Sequence, residues 1–294
     1  MNVGIRFIRS AGCLLLVMAS LTAMGGEAYK PFVLAAPAGE SVSSATESVK
    51  VKLKAAGLDV VGQYDPYGEG TATILGVTSQ DLKKAAARAE YGGFGGVMRV
   101  AVTDNDGDIE VSYTNPTYMG YAYSIGELEG VAKQLRDALG GGEDFGAQGL
   151  QKEKLVKYHY MMLMPYFKDR EIIGKFDSHA EAVAALEKAL ASADSDMRQV
   201  WRVDVGDDQT VFGVQLHGGE WQGEIKNIME KIDIATPKST AALPWELLVA
   251  GEQIVYLPGR YRIALMFPDL SMGQFMQISE VPDRMDESAK ALMK

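Results

Sequence analysis

Residues 98–118, MRVAVTDNDGDIEVSYTNPTY, alternate apolar and polar positions on both sides of a polar turn. Val100 and Val102 share a face before the turn, and Ile109, Val111 and Tyr113 share one after it. A period of two is the signature of a half-buried strand. Asp104-Asn105-Asp106-Gly107 supplies residues that tolerate positive φ and bond their own backbone, so the stretch predicts a β-hairpin. It leads into a Tyr-x-x-x-x-Tyr element, Tyr113 to Tyr118, with Pro116 between the tyrosines. Tyr256-Leu257-Pro258-Gly259-Arg260-Tyr261 has the same spacing and again a proline inside.

Upstream, Phe32 to Ala36 predicts a short strand, and a helix follows to about Ala56, with Ser43 or Ser44 as its N-cap and Gly57 as its stop. Leu58 to Gln63 and Thr73 to Val77 predict strands, with a turn at 64–68 between them. A second helix opens at Ser79-Gln80-Asp81 and ends near Tyr91-Gly92-Gly93. Beyond the hairpin, Leu128, Val131, Leu135 and Leu139 form one stripe of a helix over 126–139. The cluster Gly140-Gly141-Gly142-Glu143-Asp144-Phe145-Gly146 then marks a boundary.

The second half reads in the same order. Strands are predicted at 158–165, 200–205, 210–216, 245–250 and 253–256, and helices from the Ser178 cap to about Leu190 and over 223–232. The pattern β-α-β-β-α-β-β-α thus occurs twice. The expected fold is α+β, two tandem units with antiparallel sheets and helices on one face, packed as an intramolecular pseudo-dimer. The expected boundaries are 1–28 for a leader, 29–140 for the first unit, 141–152 for a glycine-rich linker and 153–294 for the second unit.

The leader is read from Arg6 and Arg9 ahead of an apolar run over 11–23, long enough for a secretory signal and too short to span a bilayer. Small residues offer cleavage after Gly25 or after Ala28. Cys13 resembles a lipoprotein cysteine, but the apolar run follows it instead of preceding it. A periplasmic or secreted protein is expected, with no stable membrane anchor after processing. Cys13 is the only cysteine, so the processed chain has no disulfide or thiolate. Removing residues 1–28 takes away Arg6, Arg9 and Glu27 and moves the formal charge from −10 to −11. Such an acidic chain, without a basic stripe, argues against nucleic acid as a partner.

The run VAVTDNDGDIEVSYTNPTY resembles the C-terminal signature of the domain-of-unknown-function 302 family, in which a strand, an acidic-glycine turn and a V-S-Y-x-x-P-x-Y segment close a small α+β domain. The helix over 49–57 with Leu58-Asp59-Val60-Val61 extends the resemblance, which covers about residues 43–120. The second half follows only in outline: it lacks the Asp-Asn-Asp-Gly turn and replaces Asn-Pro with Pro-Gly-Arg. The resemblance implies a small α+β domain that associates in pairs, and it brings no catalytic residues with it.

Few residues stand out for chemistry. Asp104, Asp106, Asp108 and Glu110 alternate, but glycine falls fourth and Asn115 twelfth, against the sixth-position glycine and twelfth-position glutamate of a calcium loop. His159, His179 and His217 lie apart, without metalloprotease or zinc-ligand spacing, so no metal or cofactor is expected. Segment 159–164, His-Tyr-Met-Met-Leu-Met, offers soft donors for cuprous copper, although strand alternation would divide them between two faces. Asp204, Asp207 and Asp208 are the carboxylates on which an envelope enzyme would draw. No serine elbow or phosphate loop is present, and Gly92-Gly93-Phe94-Gly95-Gly96 precedes a strand as a flexible connection.

Tyrosines are the remaining signal. Tyr113 and Tyr256 are expected to pack inward, while Tyr118, Tyr121 and Tyr261, with Arg260 in only one half, are expected to line a groove near the junction. The expected role is noncovalent binding of a small molecule or an envelope protein, with the carboxylate enzyme and the copper carrier as alternatives.

Overall fold

A computed structural model describes residues 1, 27–218, 221 and 223–294; the predicted leader, apart from its ends, and its cleavage point after Gly25 lie outside them. Strand β1 (Ala28–Tyr29) is followed by β2 (Phe32–Leu34), α1 (Val42–Ala55), β3 (Asp59–Tyr64), β4 (Ala72–Thr78), α2 (Gln80–Ala87), β5 (Met98–Asn105), β6 (Asp108–Thr114), α3 (Pro116–Ala122) and α4 (Glu129–Leu139). The join comprises β7 (Asp144–Phe145), β8 (Leu150–Gln151) and α5 (Lys152–Leu155). The second half contains β9 (Glu171–Lys175), α6 (His179–Leu190), β10 (Met197–Val205), β11 (Gln209–Leu216), α7 (Glu224–Ile232), β12 (Trp245–Ala250), β13 (Gln253–Tyr256), α8 (Gly259–Met266), α9 (Met272–Met276) and α10 (Val281–Ala291).

Both sheets are antiparallel, as an α+β fold requires. The first runs β3-β4-β5-β6-β2-β7 and the second β10-β11-β12-β13-β9. In each, four strands form a meander, and the strand that precedes the first helix returns to pair with the last of them. A further pair, β1 with β8, ties residue 28 to residue 151.

The hairpin of β5 and β6 closes as its sequence demands. Asn105 pairs with Asp108, and the two residues between them, Asp106 and Gly107, take φ of 55° and 97°. This is a two-residue loop with both centres left-handed, the geometry that matches strand twist. The Asp104 carboxylate accepts from the Gly107 amide at 2.7 Å, so the acidic run serves a turn.

Helix starts follow local chemistry. Ser79 and Ser178 cap α2 and α6 as expected, accepting from the Leu82 and Glu181 amides. The cap of α1 is Ser41 instead of Ser43 or Ser44; Ser41 and Ser44 bond reciprocally, so the chain uses the earlier serine as cap and the later one as its third-position partner.

Two expectations are corrected. Residues 158–165 form turns, not a strand: Leu163 takes φ 73°, and Glu171–Lys175 occupies the place beside β13. The segment from Tyr113 to Tyr118 is a strand end followed by a helix start, with Asn115 accepting from the Thr117 amide and Pro116 at the first helical position. Proline there loses no hydrogen bond and presets φ, so the tyrosine spacing marks a strand-to-helix corner.

The two halves share one buried seam. Gly92–Gly95, a 3-10 turn before β5, packs on the second sheet, and Thr240–Ala242, a 3-10 turn before β12, packs on the first. The Gly93 amide donates to Gln209 Oε1 at 2.8 Å, and a Cβ on Gly93 would lie 2.5 Å from Leu248 Cδ1. The glycine run is thus a close-packed contact and not a flexible connection. Trp201, on β10, fills the space left by Gly213 of its own sheet and Gly76 of the other.

Candidate functional site

The tyrosines expected to line a groove are buried instead. Tyr118, Tyr121 and Tyr261 are each at most 3% exposed, as are Tyr113 and Tyr256. The Tyr118 hydroxyl donates to the Leu265 carbonyl at 2.8 Å, and the Tyr261 hydroxyl to the Ala122 carbonyl at 3.4 Å. Burial holds the Tyr118 phenol well above its ordinary value. The junction is filled by the protein's own rings. Phe167 lies 5.6 Å from Tyr123 and 6.3 Å from Tyr261, and Tyr158 lies 6.2 Å from Tyr261. Tyr121 donates to Glu127 and stands edge-on to Tyr29.

Arg260 is separated from these rings. Its guanidinium holds Asp283 at 3.0 Å on the surface and lies 5.9 Å from the Phe275 ring. It borders a shallow apolar cleft with Met161, Met164 and Met272. His159 does not join those sulfurs: its ring stacks on Tyr166 at 4.3 Å, and Nδ1 meets the Met161 carbonyl at 2.9 Å. The mixed imidazole and thioether set foreseen for copper is therefore not assembled.

The carboxylates at 204–208 also divide. Asp204 pairs with Arg202 at 3.1 Å and accepts from the Thr210 hydroxyl at 2.9 Å. His179 Nε2 lies 2.9 Å from that hydroxyl and Nδ1 lies 3.0 Å from the Gly251 carbonyl. The Thr210 hydroxyl thus sits between the Asp204 carboxylate and the His179 ring and is held by both. Asp207 lies on the same open hollow, whereas Asp208 uses its carbonyl to receive the Gly251 amide. Among the described residues, no three His, Cys, Asp or Glu side chains converge as metal ligands.

Among the described residues, a largely apolar concavity lies elsewhere, over the β11–β12 end of the second sheet. It is a narrow apolar cleft, about 730 Å³ when the open space at its mouth is counted. Helix α7 contributes Ile228, Met229 and Ile232, α8 contributes Arg262, Ile263 and Met266, and α10 contributes Val281 and Met285. Trp245 and Pro244 line it from the sheet side and Trp221 from the approach to α7. Tyr64, from the first half, is also part of the wall. Helix α7 is polar on the other side, so its apolar stripe forms the wall while its charges face water.

The cleft carries one built polar element. Arg262 is 4% exposed, and its guanidinium bonds Glu246 Oε2 at 2.9 Å and the carbonyls of Ala242 and Pro244 at 2.7 and 3.0 Å. Glu246 is bonded on its other side by Arg99, whose Nε donates to the Ala241 carbonyl at 3.0 Å. Burial, the largest single influence, pulls Arg262 down, but Glu246 together with Tyr123 and Tyr64 makes the net displacement upward; for Arg99, burial dominates and the displacement is downward. Both guanidinium groups remain charged, because no displacement of this kind brings arginine near neutrality. Trp245 lies edge-on to Tyr256 at 5.6 Å, and among the described residues its buried indole nitrogen meets no acceptor.

Comparison with protein-family models, curated proteins and solved structures finds no match to this chain. The cleft could not be read from the sequence, since its walls come from residues 64–66, 214–245 and 262–285. The one available signal was the apolar stripe of α7 beside two tryptophans.

Proposed function

We propose that the protein binds a small, largely apolar molecule noncovalently in the cleft between α7, α8, α10 and the second sheet. The observation that carries this reading is an apolar concavity of about 730 Å³ with a single buried arginine on its wall. Specific sites are typically apolar surfaces with few, well-placed polar groups. Two of the three tryptophans line the cleft, so occupancy reports directly in their fluorescence. N-phenylnaphthylamine should brighten on titration into the full processed chain and should not do so with Met229→Trp, which fills the cleft. Failure of the unmodified protein to bind the probe overturns the reading.

The binding is assigned to the cell envelope. Its support is the arginine-flanked apolar run over 11–23, and among the described residues no helix is long and apolar enough to cross a membrane. Cleavage after Gly25 leaves β1 whole, whereas cleavage after Ala28 removes half of its pairing with β8. The intact mass of the envelope form discriminates between them.

The chain is further read as two fused units of the kind that the domain-of-unknown-function 302 resemblance implies. Support comes from the common strand order of the two sheets and from reciprocal contacts across the seam. Residue i of one half touching j of the other, with their counterparts doing the converse, is how a twofold pair meets.

A further inference from the structure

We infer that the ligand of this cleft is an amphiphilic anion, a carboxylate or similar oxyanion on a hydrocarbon body, with its head group at Arg262 and its tail against Ile228, Met229, Ile232 and Met285. The inference rests on the binding role proposed above and specifies the chemical class that the site would take.

Charge balance carries it. Arg99, Glu246 and Arg262 form one buried cluster, with exposures of 1%, 1% and 4%. Two guanidinium groups share a single carboxylate. Among the described residues, no second carboxylate bonds either arginine, so one positive charge stays unmatched. An unmatched charge removed from water is costly, and an arriving anion would offset that cost.

Geometry places the deficit at the cleft. Arg99 points its remaining donors at the Ala241 carbonyl and the Met266 sulfur within the seam. Arg262 lines the cleft, and its Nη1 makes no hydrogen bond among the described residues. With Nε and Nη2 already bonded to Glu246 and the two carbonyls, Nη1 is the charged donor left to meet an oxyanion. Apart from Tyr64 and Gln215, the rest of the lining is Ala, Ile, Val, Leu, Met, Phe, Pro and Trp, which suits a hydrocarbon tail better than a polar or sugar-like body. The overall acidity of the chain, −10, opposes anion capture at long range, but salt screens that field beyond about 8 Å and leaves the contact with Arg262 to decide.

The test compares decanoate, decanol and decyltrimethylammonium by calorimetry on the full processed chain at pH 7.5. Decanoate should bind at least about tenfold more tightly than decanol, equivalent to about 1.4 kcal/mol, and the cation least of all. In Arg262→Met the advantage of decanoate should disappear while decanol binding persists. That variant leaves Arg99 and Glu246 as a one-to-one pair. A second readout needs no variant: the carboxyl carbon of bound, labelled decanoate should titrate below its free value.

Decanol binding as well as decanoate, an advantage that survives Arg262→Met, or a bound carboxyl that titrates at or above its free value each overturn the anion inference while leaving the cleft as a binding site. If none of the three compounds binds, the proposed function falls with it.

Discussion

Arg99 on β5 and Glu246 on β12 each stand opposite a glycine of the neighbouring strand, Gly76 and Gly213, and they pair with each other in the buried seam between the halves. Matching register positions thus carry opposite charges that meet. The arrangement makes the two halves electrostatically unequal within their shared buried seam.

Removing the shared carboxylate should therefore be far worse than removing one arginine. Glu246→Gln leaves two buried guanidinium groups without a counter-charge and should destabilise by on the order of 3–5 kcal/mol. Arg262→Met leaves a balanced pair and should cost clearly less. Urea denaturation of both variants checks the order; equal losses would mean that the buried charge count does not govern the seam.

Trp201 provides a packing test. A Cβ added to Gly213 would lie 2.1 Å from Trp201 Cε2, and one added to Gly76 would lie 2.6 Å from Cε3. Gly213→Ala should cost about 1–3 kcal/mol through overpacking, and Trp201→Ala about 3–5 kcal/mol through the cavity it leaves. Thermal melting decides the matter. A neutral Gly213→Ala would show that the indole has room to move.

The cross-seam tyrosines predict how the halves depend on each other. Tyr118→Ala should destabilise by about 3–5 kcal/mol, whereas Tyr118→Phe, which loses only the bond to the Leu265 carbonyl, should cost about 1 kcal/mol. A fragment spanning residues 27–149 exposes Arg99, Tyr118 and Phe94 and should be either unstable or dimeric in sedimentation. A stable monomeric fragment would contradict the mutual dependence of the halves.

Asp233 gives stability a pH dependence. Burial raises its carboxyl to about 6 against an ordinary value near 3.8, with the Ser239 amide opposing that rise at 2.8 Å. A raised folded value means that the native state holds the proton more tightly. Its contribution is present below pH 3.8 and lost as pH rises through 6. Asp233→Asn should therefore gain relative to the unmodified protein between pH 4 and 7.5, by up to about 2–3 kcal/mol. Denaturant melts at the two pH values check it; a pH-independent difference would assign the effect to something other than the buried charge.

Local patterns in the sequence were sufficient for much of the architecture. Alternation over residues 98–113 and the Asp-Gly centre determined the hairpin, because strand period and left-handed turn residues act between near neighbours. Ser79 and Ser178 announced their helices for the same reason. Pro116 sits at the first helical position of α3, where Asn115 caps the helix by accepting from the Thr117 amide.

Tertiary packing decided the site. Whether Tyr118 lines a groove or fills a seam depends on the Leu265 carbonyl, 147 residues away, and on Phe167 occupying the junction. The partner of Arg99 is also 147 residues distant, so no window of sequence could show that two arginines share one carboxylate. The cleft forms only where the apolar stripes of α7, α8 and α10 meet the end of the second sheet around Arg262. Burial patterns along a chain reveal which side chains leave water, but which charges meet there, and where space remains, follows from the closing of the two halves upon each other.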